Sequence, residues 1–142
     1  MESDSILIID DDKEFLATTL DFLIVQMKLT NVVWAVTPEE AEEKVKIYNP
    51  RVVILDLGMK KLRGEEISSV INNGSNSPII IMTSFYDNDD YLELTHDLGG
   101  DGFFRKDQLK TALPKLMEFL NSDNHNDNPN NDMFRDKSFL LN

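Results

Sequence analysis

The stretch from Arg51 to Asp56, read R-V-V-I-L-D, constrains the fold more than any other part of the chain. Four consecutive apolar residues, three of them β-branched, leave no polar face. A strand made from them must be covered on both sides, as in the parallel sheet of an α/β protein. The run ends abruptly on a carboxylate. Open α/β sheets gather their chemistry at the carboxyl ends of the strands, which makes Asp56 a candidate reactive group.

Four other segments complete a strand pattern. Ile6 to Ile9 is wholly apolar and ends in Asp10, Asp11 and Asp12. Val32 to Val36 is short. Pro78 to Met82 ends at Thr83 and Ser84, and Gly102 to Phe104 runs into Arg105, Lys106 and Asp107.

The intervening segments have helical character. Over Lys13 to Leu29, the residues Leu16, Leu20, Leu23 and Met27 form one stripe, with Asp12 as the N-cap and Glu14 in the first turn. Thr37-Pro38-Glu39-Glu40 supplies a capping threonine, a proline at the first helical position and a capping box. The helix that follows runs to about Tyr48 and is stopped by Asn49-Pro50. A third helix is expected from about Gly64 to Asn72, before the turn cluster Asn73 to Ser77. A fourth is expected from about Asp87 to Leu98, before Gly99-Gly100.

In the last helix Leu109, Ala112, Leu113, Leu116, Met117 and Leu120 share a face, but Pro114 lies inside. Since proline is tolerated only near a helix start, the spacing places that start near Thr111, with Asp107 to Lys110 as a separate turn. Five strands thus alternate with five helices. This predicts a doubly wound parallel sheet with right-handed crossovers and helices on both faces.

Residues 1–120 form one domain on this pattern. From Asn121 the chain turns rich in asparagine and aspartate, and 121–142 is expected to be a mobile tail. The formal charge of −12 repels a nucleic-acid backbone, and no basic helix offsets it. There is no cysteine, no signal-peptide pattern and no apolar run long enough to span a bilayer, so a cytoplasmic protein is expected.

The strand ends bring Asp10, Asp11, Asp56, Thr83 and Lys106 to one rim. Clustered carboxylates repel one another and raise each other's pKa, which a divalent cation relieves; an all-oxygen ligand set selects magnesium before zinc. An ammonium and a hydroxyl opposite can hold the oxygens of a phosphoryl group, and a carboxylate can itself be the nucleophile.

Five pieces of the chain resemble the receiver domain of two-component response regulators: I-L-I-I-D-D at 6–11, V-V-I-L-D-L at 52–57, Gly64, I-I-I-M-T-S at 79–84 and G-F-F-R-K at 102–106. The resemblance covers residues 5 to about 120. It implies a flavodoxin-like five-stranded parallel sheet of order 2-1-3-4-5 with five helices. It further implies that Asp56 accepts a phosphoryl group from a sensor histidine kinase or a histidine phosphotransfer protein. Mg²⁺ would be held by Asp10, Asp11, Asp56 and the Gly58 backbone carbonyl, and phosphoryl oxygens by Thr83 and Lys106. Phe103 matches the switch aromatic, whose rotamer reports phosphorylation to the face made by the last two helices and the last strand. The chemistry would be self-phosphorylation and autodephosphorylation of an aspartate.

Four departures from the family pattern stand out. Met59 is followed by Lys60 rather than proline, Lys106 by Asp107 rather than proline, and the aromatic is Phe103 rather than tyrosine. Phe85 and Gly58, two residues beyond Thr83 and Asp56, are respectively bulky and bare, at positions that influence acyl-phosphate lifetime in the family. None removes a group the chemistry needs.

Two other functions compete. Asp10 and Asp12 form a D-x-D after an apolar strand, which a small haloacid-dehalogenase-like phosphatase would use with Asp10 as nucleophile. A receiver fold kept only as an interaction module is the other. Beside its core stripe, the first helix carries Phe15, Phe22, Val25 and Leu29. This face is expected either to dock the helices of a kinase or phosphotransfer partner, or to pack on the last helix or on Phe139, Leu140 and Leu141 of the tail.

Overall fold

The computed structural model describes residues 5–59, 78–85, 93, 95–97 and 99–122, the last four by their backbone alone. The strands are β1 (Ile6–Ile9), β2 (Val32–Ala35), β3 (Val52–Asp56), β4 (Ile79–Ser84) and β5 (Gly102–Arg105). They form one parallel sheet of order β2-β1-β3-β4-β5. Every residue of β1 and β3 is buried, as their unbroken apolar runs demand.

Alternation along the strands builds two cores. Ile6, Ile8, Val52, Ile54, Ile81 and Phe104 face one side and pack with Leu16, Phe22 and Leu23, and with Leu109, Leu113 and Leu116. Leu7, Ile9, Val53, Leu55, Met82 and Phe103 face the other, where Ala41 and Val45 cover them. The first core lies under the helices α1 (Lys13–Asp21) and α3 (Leu109–Ser122), the second under α2 (Pro38–Tyr48).

The caps form as the sequence requires. Asp12 accepts from the N–H groups of Glu14 and Phe15. Thr37 Oγ1 accepts from Glu40 N–H, and the Glu40 carboxylate reaches back to the Val36 N–H at 2.9 Å. Asn49, in the left-handed region at φ 47°, closes α2.

Two elements differ from expectation. The first helix does not run regularly to Leu29; it passes into a wide π-type turn over Phe22–Gln26, with Met27 N–H bonded to Phe22 O at 3.0 Å. The last helix begins at Leu109 rather than near Thr111, entered directly from a 3₁₀ turn over Lys106–Gln108. Pro114 sits on its exposed side, where water can meet the carbonyl it leaves unpaired, while Leu109, Ala112 and Leu113 are buried beneath. That burial outweighs one missing hydrogen bond.

The helix expected over 64–72 and the tail beyond Ser122 lie outside the described residues, although α3 carries two residues past the expected boundary at Asn121. Of the helix expected over 87–98, the described residues Glu93 and Thr95–Asp97 are helical. Among the described residues no helix is long and apolar enough to cross a membrane.

That fourth helical segment ends at Gly99, whose φ of +83° favours glycine, and Gly100, whose N–H bonds Thr95 O at 2.8 Å. A Cβ on Gly100 would lie 2.8 Å from Thr95 Cγ2 and 3.1 Å from the Thr95 carbonyl oxygen. Gly100→Ala should therefore destabilise the fold by about 1–3 kcal/mol through overpacking. Urea unfolding measures this, and a midpoint equal to wild type would contradict it.

Candidate functional site

β1 and β3 are neighbours and end level with each other, so Asp10 and Asp56 meet where the strands stop. Both are nearly buried, at 1% and 5% exposure, whereas Asp11 is exposed. Carboxylate oxygens of Asp10, Asp11 and Asp56 lie within 4.8 Å of one another. Lys106, delivered by the residue after β5, places Nζ 2.8 Å from Asp10 Oδ2 and 3.3 Å from Asp56 Oδ2.

Backbone amides orient both acids. Asp12 N–H donates to Asp10 Oδ1 and Gly58 N–H donates to Asp56 Oδ1, each at 2.9 Å. The loop beyond Asp56 is tied down by Leu57 N–H on Thr83 O at 2.8 Å. Thr83 pairs with Asp56 in register across β3 and β4, and its hydroxyl donates a long bond, 3.4 Å, to Leu55 O. A Cβ on Gly58 would lie 3.3 Å from Asp56 Oδ1, so glycine leaves that flank of the carboxylate uncovered.

Burial pushes the Asp10 carboxyl up to about 6, from an ordinary 3.8. The Asp56 charge acts in the same direction, while the Lys106 ammonium and the Asp12 N–H pull the other way. Among the described residues the cluster thus gathers more negative charge than its one ammonium balances. A hard divalent cation with oxygen ligands fits this donor set.

The residues from Ile6 to Glu118 match the family model described as response regulator receiver domain. The chain belongs to this receiver family.

Relatives agree with that placement. The receiver is 31% identical over 121 residues to the probable transcriptional regulator ycf27 of Porphyridium aerugineum, covering 83% of this chain and 46% of that one. It is 27% identical over 115 residues to the transcriptional regulatory protein DegU of Brevibacillus brevis, covering 81% and 49%. The chain spans about half the length of these curated relatives. Among solved structures it resembles the receiver domain of a DNA-binding response regulator (merR) from Colwellia psychrerythraea 34H. There the TM-score is 0.68 at 30% identity, covering 80% of this chain and 98% of that one. The receiver domain of RcsB from Escherichia coli shares the fold, with a TM-score of 0.67 at 23% identity over 83% and 92% of the two chains.

The receiver brings Asp10, Asp11, Asp56, Thr83 and Lys106 to one rim. Phe103 lies apart from it, 1% exposed in the core beside Leu55 and Met82. Lys60, Gly64 and all of the loop beyond Met59 lie outside the described residues.

The apolar face expected on the first helix needs correction. Phe22 is 7% exposed and shares a core with Leu109, Leu113 and Leu116 of the last helix, so at this residue the packing alternative holds and docking does not. The buried face of α1 and its π turn is centred on Leu16, Thr19, Phe22 and Leu23. Thr19 misleads a reading by polarity, because it is fully buried with its hydroxyl donating to Phe15 O at 2.9 Å. Phe15 is only partly exposed and turns toward the rim; Val25 and its neighbour Ile24 are exposed.

Sequence reasoning also missed the surroundings of Lys106. Its ammonium stands over the rings of Phe15 and Phe85, 4.5 Å from each centroid. The only signal was positional, an aromatic residue immediately after the Thr83-Ser84 strand end.

An acid whose pKa rises on folding gives stability that is complete below its unfolded value and is lost as pH climbs through the folded one. For Asp10 that window runs from about 3.8 to about 6. In metal-free buffer, Asp10→Asn should therefore gain on wild type by on the order of 2 kcal/mol between pH 4 and pH 7. Urea melts at the two pH values check this; a difference that does not change with pH would refute it.

Proposed function

We propose that Asp56 accepts a phosphoryl group from the phosphohistidine of a sensor histidine kinase or histidine phosphotransfer protein, and that the receiver passes the signal to a downstream protein by changing conformation. The observation that carries this reading is the setting of Asp56. Its carboxylate is nearly buried at the end of β3, 3.3 Å from the Lys106 ammonium and beside two further acids.

In the transfer, one Asp56 oxygen attacks phosphorus as the P–N bond to the imidazole breaks. The bonding pair leaves with the imidazole nitrogen, and the aspartate becomes an acyl phosphate. Attack by water later returns the carboxylate and inorganic phosphate. Such transfer needs mainly positioning and charge neutralisation.

Asp10, Asp11, Asp56 and the Gly58 carbonyl are the groups that would hold Mg²⁺, which when bound supplies charge neutralisation to the acids and the phosphoryl oxygens. Lys106 offers a second cation from the turn after β5. Thr83 can exchange its long bond to Leu55 O for a phosphoryl oxygen. Phe103, buried behind the rim, would then report the change by its ring orientation, without a hydroxyl to anchor either rotamer. Residues 1–120 act as the receiver unit and 121–142 as an appended tail in this proposal, and a cytoplasmic location suits a kinase partner.

Treating the protein with acetyl phosphate and Mg²⁺, then mapping the adduct by mass spectrometry, tests the reading. A single phosphoryl adduct on Asp56 is expected, lost in Asp56→Asn and suppressed by a chelator. An adduct on Asp10 would favour the phosphatase, and no adduct at all would favour an interaction module.

Of the four residues on the face expected to dock the phosphodonor, Val25 is the most exposed, at 62%, with Ile24 beside it at 45%. Val25→Ser should slow transfer from a phosphohistidine partner by about threefold to tenfold, the effect of losing one apolar contact, while labelling by acetyl phosphate keeps its rate. Equal loss in both assays would argue against docking at this position.

A further inference from the structure

Lysine has a long, flexible stem, and holding its ammonium at one point costs conformational entropy. Two carboxylates account for part of the hold on Lys106. They do not account for the aromatic surface on its flank. Phe15 comes from the first turn of α1, set there by the Asp12 cap. Phe85 follows directly after β4. Their rings meet edge to face, at an interplanar angle of 73° with centroids 6.1 Å apart. Lys106 Nζ sits 4.5 Å from both centroids, so the two rings make close to a right-angled corner at the ammonium.

We propose that Phe15 and Phe85 are positioning residues for Lys106: their rings form a two-walled aromatic corner that holds the ammonium against Asp10 and Asp56. This inference rests on the reading of Asp56 as phosphoacceptor for its consequence, though the corner itself does not depend on it.

Three features support the corner as more than incidental packing. The Lys106 side chain is only 2% exposed, and cation–π attraction strengthens as the cation loses water. Phe85 is 56% exposed, yet its inner surface is spent on Lys106 and Phe15. The rings also offer what a third carboxylate would not: attraction for the ammonium without further negative charge beside Asp10 and Asp56.

The rings act on Lys106 and touch no reacting atom, so the decisive measurement is made on the lysine. In the full-length protein without phosphate, the Lys106 ε-CH₂ protons should show an upfield ring-current shift by NMR. Phe85→Leu keeps apolar bulk but removes the ring, and should cut that shift by about half; Phe85→Tyr should restore it. The rate of phosphorylation by acetyl phosphate should fall by about threefold to tenfold in Phe85→Leu, the size of effect a partly desolvated cation–π contact gives, and recover towards wild type in Phe85→Tyr.

Unshifted Lys106 resonances in wild type, or a shift indifferent to Phe85→Leu, would overturn the inference. So would equal rates for the leucine and tyrosine variants. Phe85 carries the test because it is half-exposed, whereas Phe15→Leu also disturbs the base of α1. If wild type takes no phosphate on Asp56, the reading of the site fails, and the NMR shift alone decides the corner.

Discussion

Lys106 carries its ammonium to a place where 2% of the side chain meets solvent, and there it faces Asp10 at 2.8 Å and Asp56 at 3.3 Å. Burying a charge is costly unless it is paired and hydrogen-bonded, and leaving two acids together without a counter-charge would cost more. The lysine therefore settles two problems at once. It lets two strands end on carboxylates in the middle of a sheet, and it finds its own partners in doing so. Take it away and the acids repel; take the acids away and a buried cation is stranded. The described residues contain no buried side-chain nitrogen or oxygen left without a hydrogen-bond partner.

The sheet exists to bring these groups level. Parallel strands with both faces covered need apolar residues throughout, so the first position that can be polar is the end of the strand. In β1, β3 and β4 that position falls at Asp10, Asp56 and Thr83, and the strand order sets the three side by side. The two hydrophobic layers, one beneath α1 and α3 and one beneath α2, hold the strands rigidly enough for distances near 3 Å at the rim to have meaning.

This explains what could be read in advance. Strands buried on both faces write themselves as unbroken apolar runs, and their polar ends mark the rim, so the sheet and the acids of Asp10 and Asp56 were legible. Thr37, Pro38 and Glu40 announce the start of α2 because capping is a local matter. The first helix was harder. Its buried face runs through Thr19, a residue whose hydroxyl is satisfied by the carbonyl one turn back, so polarity counting left open whether Phe22 docks a partner or packs inward. Pro114 misled for a related reason: the local rule against proline yields when the residues around it bury well. The corner of Phe15 and Phe85 left only the position of Phe85 after the strand end as a trace in the sequence. Neither residue has a local reason to approach the other, and only the convergence of α1 and β4 on the lysine joins them.

The electrostatics of the rim have a direction. Among the described residues three carboxylates stand against one ammonium, so the cluster is short of positive charge; the raised pKa of Asp10 comes first from its burial, with the Asp56 charge adding to it. Anything cationic that arrives is welcomed; a phosphoryl group alone would deepen the deficit. If Asp56 is the phosphoacceptor we propose, this charge balance orders the events as cation first and phosphoryl group second, with the Lys106 ammonium kept at the rim by the aromatic corner. A third acid around the lysine would fix it just as firmly but would oppose the incoming group. Neutral π faces hold the cation without that penalty, so a corner of two rings suits the proposed task of receiving negative charge.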